Sequence, residues 1–128
     1  MKINDTFTVE ITVTDNETAK TFGSGTLSVL ATPKMIALME QAAYKCIESS
    51  LEEGQSSVGT YLDVKHLSAT PVGMKVSATA EVVEIDGRRV VFNVSARDES
   101  GLIGEGKHER FIVNDEKFVA KTYSKLQK

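Results

Sequence analysis

The sequence predicts an α+β fold in which one long helix lies across an antiparallel sheet, with elements in the order β-α-β-β-β-β. Three observations indicate this fold: an alternating segment near the start, one long apolar helix pattern, and four later strand patterns joined by short turns. Turns of two or three residues cannot cross over a sheet, so the later strands must run antiparallel. A long apolar helix is then best buried against one face of that sheet.

The first strand is predicted at residues 7–13, where every second residue is apolar: Phe7, Val9, Ile11 and Val13. This period of two is typical of a strand with one buried face. From Asp15 to Ser28 the sequence is mostly polar and contains Gly23-Ser24-Gly25, which predicts a mobile crossing loop. Loops of this length often act as functional lids.

The long helix is predicted at about residues 32–50, with a broad apolar arc formed by Met35, Ile36, Leu38, Met39, Ala42, Ala43, Cys46 and Ile47. The hydroxyl of Thr32 is suited to cap the first free amides, and Pro33 suits the first helical position because it lacks an N–H. At 1.5 Å per residue the helix is about 30 Å long, enough to cross a small sheet.

Four further strands are predicted at about residues 57–68, 74–85, 88–98 and 101–113. Turn signals separate them: Pro71-Val72-Gly73, Asp86-Gly87 and Glu99-Ser100-Gly101. The tail from Asp115 to Lys128 is weakly patterned and is expected to form a final turn or short helix.

Composition excludes several classes of function. The 128 residues, 41% of them apolar, suffice for one domain spanning 1–128, and the net charge of −3 with scattered basic residues argues against nucleic acid. The single cysteine, Cys46, is expected to be a small buried thiol in a cytoplasmic protein. We expect no membrane span and no secretion leader. Two histidines and one cysteine give no zinc spacing, so we expect neither a metal nor a cofactor.

Four residues could carry chemistry. Glu40 lies at the margin of the apolar arc, so it faces either a rim or a partly dry site, where carboxylates are often functional. His66 shares a strand face with Leu62 and should face the helix, either as a core histidine bonded to a carbonyl or as a functional residue. A helix cap is the simplest explanation of Thr32, and His108 is expected on a solvated or ion-paired surface.

Several motifs together resemble the hotdog-fold thioesterases of the fluoroacetyl-CoA thioesterase type. They are Ala31-Thr32-Pro33, Leu38-Met39-Glu40-Gln41-Ala42, Val58-Gly59-Thr60, the run from Val64 to Gly73, and Gly106-Lys107-His108-Glu109-Arg110. The resemblance covers about residues 24–122. It implies a sheet wrapped around a central helix, and an acyl-CoA substrate bound at the boundary between subunits of a homodimer or higher assembly.

By the same resemblance Thr32, Glu40 and His66 occupy the catalytic positions, and the amide of Gly59 lies against the thioester. Thr60 and Phe22 are then expected to contact the substrate. Fluoroacetyl-specific members carry an aromatic-rich lid before the helix, whereas the segment 15–25 has a single aromatic residue. The resemblance therefore favours a short or medium acyl-CoA over selectivity for fluorine.

Helix geometry adds a constraint. Thr32 and Glu40 are eight residues apart, which separates their backbones by about 12 Å along one regular helix, too far for direct contact. We therefore expect a composite site with residues from two chains. Two alternatives remain open from the sequence: a hotdog acyl-thioester hydratase or dehydratase, and a non-catalytic acyl-CoA-binding module.

Overall fold

The computed structural model describes residues 1–127 and contains a five-stranded antiparallel sheet in the order β1-β3-β4-β5-β2. The strands are β1 (Thr6–Thr12), β2 (Gln55–His66), β3 (Lys75–Asp86), β4 (Arg89–Asp98) and β5 (Gly101–Asn114). Every neighbouring pair is antiparallel. The predicted α+β class, the strands and their turns are confirmed, with small shifts at the strand ends.

The long helix, α2 (Thr32–Glu48), packs mainly against β3 and β1. Its buried face consists of Met35, Leu38, Met39, Ala42, Ala43 and Ile47. The facing residues of β3 alternate with exposed or half-buried ones and are all fully buried: Val76, Ala78, Ala80 and Val82. Small alanines on this strand leave room for the methionine and leucine side chains of the helix, each of which contributes about 1.5–3 kcal/mol when fully buried.

The predicted cap at Thr32 is wrong. The residue that precedes the helix in extended conformation is Ala31, with no side-chain cap, and Thr32 is already helical. A capping side chain must belong to the residue just outside the helix to reach the first free amides. The Thr32 hydroxyl instead shares a hydrogen bond with His66.

The segment between β1 and α2 is more ordered than the predicted mobile loop. It contains a 3₁₀ turn at Asp15–Glu17 and a short helix, α1 (Ala19–Phe22). Thr14 and Glu17 form a reciprocal capping box, and the Thr18 hydroxyl caps α1. Polar side chains in this segment accept hydrogen bonds from free backbone N–H groups at the helix ends. A polar composition alone does not distinguish such capped turns from a mobile loop. The predicted short helix in the tail is confirmed as α3 (Asp115–Tyr123).

Strand β2 lies at an edge of the sheet and, among residues 1–127, pairs with β5 alone. Its register shifts between Gly59 and Tyr61, so the strand carries a bulge. Leu62, which shares a β2 face with His66, is 43% exposed because α2 packs mainly over β3 and β1. Within the described part of the chain, no helix has the length and apolar character needed to span a membrane.

Candidate active site

Thr32 and His66 meet where the start of α2 approaches the end of β2. The Thr32 Oγ1 and the His66 Nδ1 are 2.6 Å apart, which is a short hydrogen bond. The other ring nitrogen, Nε2, is buried and has no hydrogen-bond partner among residues 1–127. Both side chains line a cavity of about 300 Å³ that also contacts Ser24 and residues 67–69. We call it the threonine–histidine cavity.

Glu40 lies two helical turns further along α2, beside a different part of the sheet. Its Oε2 is 3.8 Å from the Nη1 of Arg110, and 37% of the Glu40 side chain is exposed. A Cβ atom on Gly59 would lie only 2.9 Å from this oxygen, so the missing side chain of Gly59 makes room for the carboxylate. Glu40, Tyr44 and Arg110 help to line a cavity of about 340 Å³, which we call the carboxylate cavity.

Arg110 is buried beneath the carboxylate cavity, although most arginines are exposed. Its Nε donates to the Ser57 hydroxyl and its Nη2 to the Ser57 carbonyl, both at 2.8 Å. The guanidinium carbon lies 5.9 Å from the centre of the Tyr44 ring, within range of a cation–π contact. Burial lowers the pKa of Arg110, and the charge of Glu40 acts in the opposite direction.

His108 is fully buried next to Arg110. Its Nδ1 lies 2.9 Å from the Tyr61 carbonyl oxygen, its Nε2 lies 3.1 Å from Arg110 Nη1, and its ring stacks on Phe92. Burial lowers the pKa of His108, the positive charge of Arg110 lowers it further, and the Tyr61 carbonyl partly offsets both. The prediction that His108 lies on the surface is therefore wrong.

The structure brings the predicted residues together in two pairs. Thr32 contacts His66, and Glu40 lies against Gly59, but Thr32 and His66 line one cavity of the chain and Glu40 lines another. Thr60 is exposed at the bulge, where its hydroxyl donates to the Glu109 carbonyl at 3.2 Å.

Two predicted residues lie apart from these pairs. Phe22 is 46% exposed on α1 and does not line either cavity. Cys46 is half-buried, and burial raises the pKa of its thiol, as suits a packing residue.

The sequence reasoning placed His108 on the surface and gave Arg110 no role in the site, although the sequence did contain a signal that both are buried. They alternate with the core residue Ile112 on β5, so all three point to one face of that strand. Strand periodicity alone could have placed both polar residues on the buried face.

Comparison with known proteins identifies the family. The model of the family FlK, fluoroacetyl-CoA-specific thioesterase, matches residues 13–116. The fluoroacetyl-CoA thioesterase of Streptantibioticus cattleyicolor is 44% identical over 97 residues, which cover 76% of this chain and 70% of that protein.

Solved structures agree. A structure of the fluoroacetyl-CoA thioesterase FlK superposes with a TM-score of 0.93 at 37% identity, covering 98% of this chain and 97% of that one. A mutant of the same enzyme in complex with fluoroacetate and CoA superposes with a TM-score of 0.88 at 36% identity, covering 92% of this chain and 99% of that one. The fold and these comparisons thus define a hotdog-fold thioesterase. The chain belongs to the fluoroacetyl-CoA-specific thioesterase family, which confirms the predicted fold, family and enzyme class.

Proposed function

We propose that the protein hydrolyses short or medium acyl-CoA thioesters to a free acid and coenzyme A. In this proposal Thr32, Glu40 and His66 are catalytic, and Gly59 binds the thioester. The observation that carries the proposal is the His66 ring, which is fixed at Nδ1 by Thr32 while its buried Nε2 has no hydrogen-bond partner within residues 1–127. A buried polar atom without a partner costs about 1–3 kcal/mol, which a bound substrate can recover.

His66 can assist the departure of the thiolate leaving group. With Nδ1 accepting from the Thr32 hydroxyl, Nε2 carries the proton and can donate a hydrogen bond to the departing sulfur. The Thr32 hydroxyl, which can donate or accept, is then the group that fixes the orientation of the His66 ring. The same threonine begins α2, so the thioester also meets the positive end of the helix dipole.

Glu40 can act either as the general base that activates water or as the nucleophile. Its carboxylate activates water by accepting a proton. The resulting hydroxide forms the C–O bond as the C–S bond breaks, and the thiolate, held by a hydrogen bond from His66 Nε2–H, takes its proton from protonated Glu40, which restores the carboxylate. If Glu40 instead attacks the carbonyl carbon itself, an acyl-enzyme forms and water cleaves it in a second step. The amide of Gly59, beside Glu40, would donate to the developing oxyanion.

Homodimerisation would join the two halves of the site. Thr32 and His66 line one cavity of the chain and Glu40 lines another, while among residues 1–127 one edge of β2 is unpaired and Tyr61 and Leu62 are exposed. Such an edge readily pairs with another strand. We infer that Thr32 and His66 of one subunit face Glu40 and Gly59 of the other, and that the assembly is at least a dimer.

Substrate, location and domain organisation complete the proposal. The related complex with fluoroacetate and CoA supports an acyl-CoA ligand. Phe22 is the single aromatic residue of segment 15–25 and lies outside both cavities, which favours a general short or medium acyl group over fluoroacetyl selectivity.

We also propose a cytoplasmic location and one domain over residues 1–128; the single cysteine supports the location. Thr60 and Phe22 remain proposed substrate contacts.

An acyl-CoA panel tests the reaction. Acetyl-, butyryl-, hexanoyl- and fluoroacetyl-CoA are assayed for release of free thiol, with Glu40→Gln and His66→Ala as comparison variants. We expect the wild type to release free thiol by hydrolysis and both variants to lose this activity. A change in absorbance without thiol would identify a hydratase or dehydratase, and binding without either change would identify a non-catalytic module; both results would contradict the proposal.

Mixed dimers test the composite site. A Thr32→Ala chain is combined with a Glu40→Gln chain, so that a composite arrangement leaves one of the two sites intact and restores activity. The matched control combines Thr32→Ala with His66→Ala, which places a defect in each site and restores none. Equal activity in the two mixtures, with mixed dimers shown by native mass spectrometry, would contradict a site shared between subunits.

A further inference from the structure

His108 and Arg110 form a buried pair that the proposed chemistry leaves without a role. A backbone carbonyl only accepts hydrogen bonds, so the His108 Nδ1 next to the Tyr61 oxygen must carry a proton. A guanidinium only donates, so the His108 Nε2 next to Arg110 must be unprotonated. The two neighbours thus define one neutral tautomer of His108.

Three of the nitrogen contacts of Arg110 fix its orientation. Nε and Nη2 donate to Ser57, and Nη1 donates to His108. The same Nη1 is the atom that lies 3.8 Å from the Glu40 carboxylate. The acceptors that hold the guanidinium in place are therefore neutral, and Glu40 remains partly exposed toward the carboxylate cavity.

His108 also contacts strand β2 next to Glu40. Tyr61, whose carbonyl accepts from Nδ1, follows the β2 bulge that begins at Gly59. The His108 Cε1 would be 3.2 Å from a Cβ atom at Gly59, so the ring packs against the same glycine as the carboxylate does. One imidazole thus contacts both the strand beside Glu40 and the cation beside Glu40.

We propose that His108 is a positioning residue: its Nε2 holds Arg110 toward the Glu40 carboxylate, and its Nδ1–H holds the Gly59–Tyr61 bulge. The charged groups around it are Arg110 and Glu109 on β5 and Glu40 on α2, while β4 contributes the uncharged Phe92 ring. A second cation at His108 would lie 3.1 Å from the guanidinium, so the role requires a neutral ring. The inference rests on the proposed function, because it assigns a task toward Glu40.

Three substitutions separate the two contacts. His108→Phe keeps the stacking on Phe92 and removes both hydrogen bonds. His108→Gln can place an acceptor near the Nε2 position, and His108→Asn can place a donor near the Nδ1 position. Lys107→Gln, exposed on the adjacent position of β5, is the matched control and should have wild-type activity.

We expect kcat of the His108→Phe variant to fall about 10- to 100-fold, as for other small displacements of catalytic groups, with little change in KM. His108→Gln should restore kcat to within about threefold of the wild type, since it returns the acceptor for Arg110. Wild-type kcat in a folded His108→Phe variant would overturn the proposal, and so would an equal loss in the Phe and Gln variants. Where His108→Phe does not fold, the comparison is between Gln and Asn, and an Asn variant more active than Gln overturns it.

A spectroscopic measurement separates this inference from the proposed reaction. Nitrogen-15 NMR of the full protein at pH 7 should show neutral His108 with its proton on Nδ1. A proton on Nε2, or an imidazolium, would overturn the positioning role even in an active enzyme. If no acyl-CoA is hydrolysed, the proposed function fails, and the Nδ1–H tautomer still reports whether His108 holds Arg110 as described.

Discussion

The space beside Gly59 predicts a measurable effect of the Gly59→Ala variant. The new Cβ would lie 2.9 Å from Glu40 Oε2, whereas ordinary contacts begin at 3.4 Å, so the carboxylate must retreat by about 0.5 Å, the difference of the two distances. A displacement of 1 Å at a reacting group can cost about 100-fold in rate, so half of that predicts a loss of about tenfold in kcat.

Stability should change much less than activity. The closest clashing atom is the free end of a flexible side chain, and the His108 Cε1 at 3.2 Å must give by only a few tenths of an ångström. Alanine is also favoured over glycine within a strand by about 0.5–1 kcal/mol. We therefore expect the free energy of unfolding, measured in urea, to change by less than about 1 kcal/mol. A large loss of stability would show that the backbone, rather than the carboxylate, gives way.

A double variant identifies the clashing group. Glu40→Asp shortens the side chain by one methylene and withdraws its carboxylate from the new Cβ atom. Adding Gly59→Ala should then cost less in the Glu40→Asp background than in the wild type, with both costs measured as kcat for thiol release. The reasoning is refuted if alanine costs the same factor in both backgrounds, or if Gly59→Ala alone retains wild-type kcat.

Three further predictions follow from the same contacts. Glu40→Gln should lower turnover at least about tenfold with unchanged thermal unfolding, and unaltered turnover would remove Glu40 from the scheme. Thr32→Ser keeps the hydroxyl contact to His66 and should keep most of the kcat, whereas Thr32→Ala should lose about tenfold; equal rates would contradict the role of the hydroxyl. The pKa of His108 is lowered from 6.5, so its stabilising effect is complete above pH 6.5 and falls as the pH drops toward the folded-state pKa. Urea unfolding of the wild type should lose up to about 1.4 kcal/mol per pH unit in that range relative to His108→Phe, and parallel pH dependences of the two proteins would contradict it.

The fold was predictable because its signals are local. Alternation identifies each strand within a few residues, and Asp86-Gly87 fixes the β3–β4 hairpin by the left-handed conformation of Gly87, whose φ is +61°. The apolar arc of α2 likewise requires a partner surface, and an antiparallel sheet offers one. None of these inferences needs knowledge of which distant residues touch.

The site was only partly predictable, because its contacts join distant positions. The Thr32–His66 bond spans 34 residues, and a helix cap explained Thr32 equally well within its own segment. For His108 and Arg110, the general rule that charged residues are exposed favoured a surface position, whereas the alternation of β5 indicated the buried face. Burial is tolerated here because Ser57 and the Tyr61 carbonyl supply partners, and no pattern within β5 shows that they do.

The two halves of the proposed site differ in how completely their polar groups are satisfied, and the difference suits their tasks. Arg110 is held by neutral acceptors on Ser57 and His108, so it stays in place when Glu40 takes up a proton and loses its charge. Had the carboxylate been its main partner, each proton transfer would have left a buried cation unpaired. His66, by contrast, is fixed at one nitrogen and, in the described part of the chain, has no partner at the other, so its missing hydrogen bond is available to a ligand. In the proposed reaction the preorganised half would therefore keep its shape, and the substrate would complete the unsatisfied half.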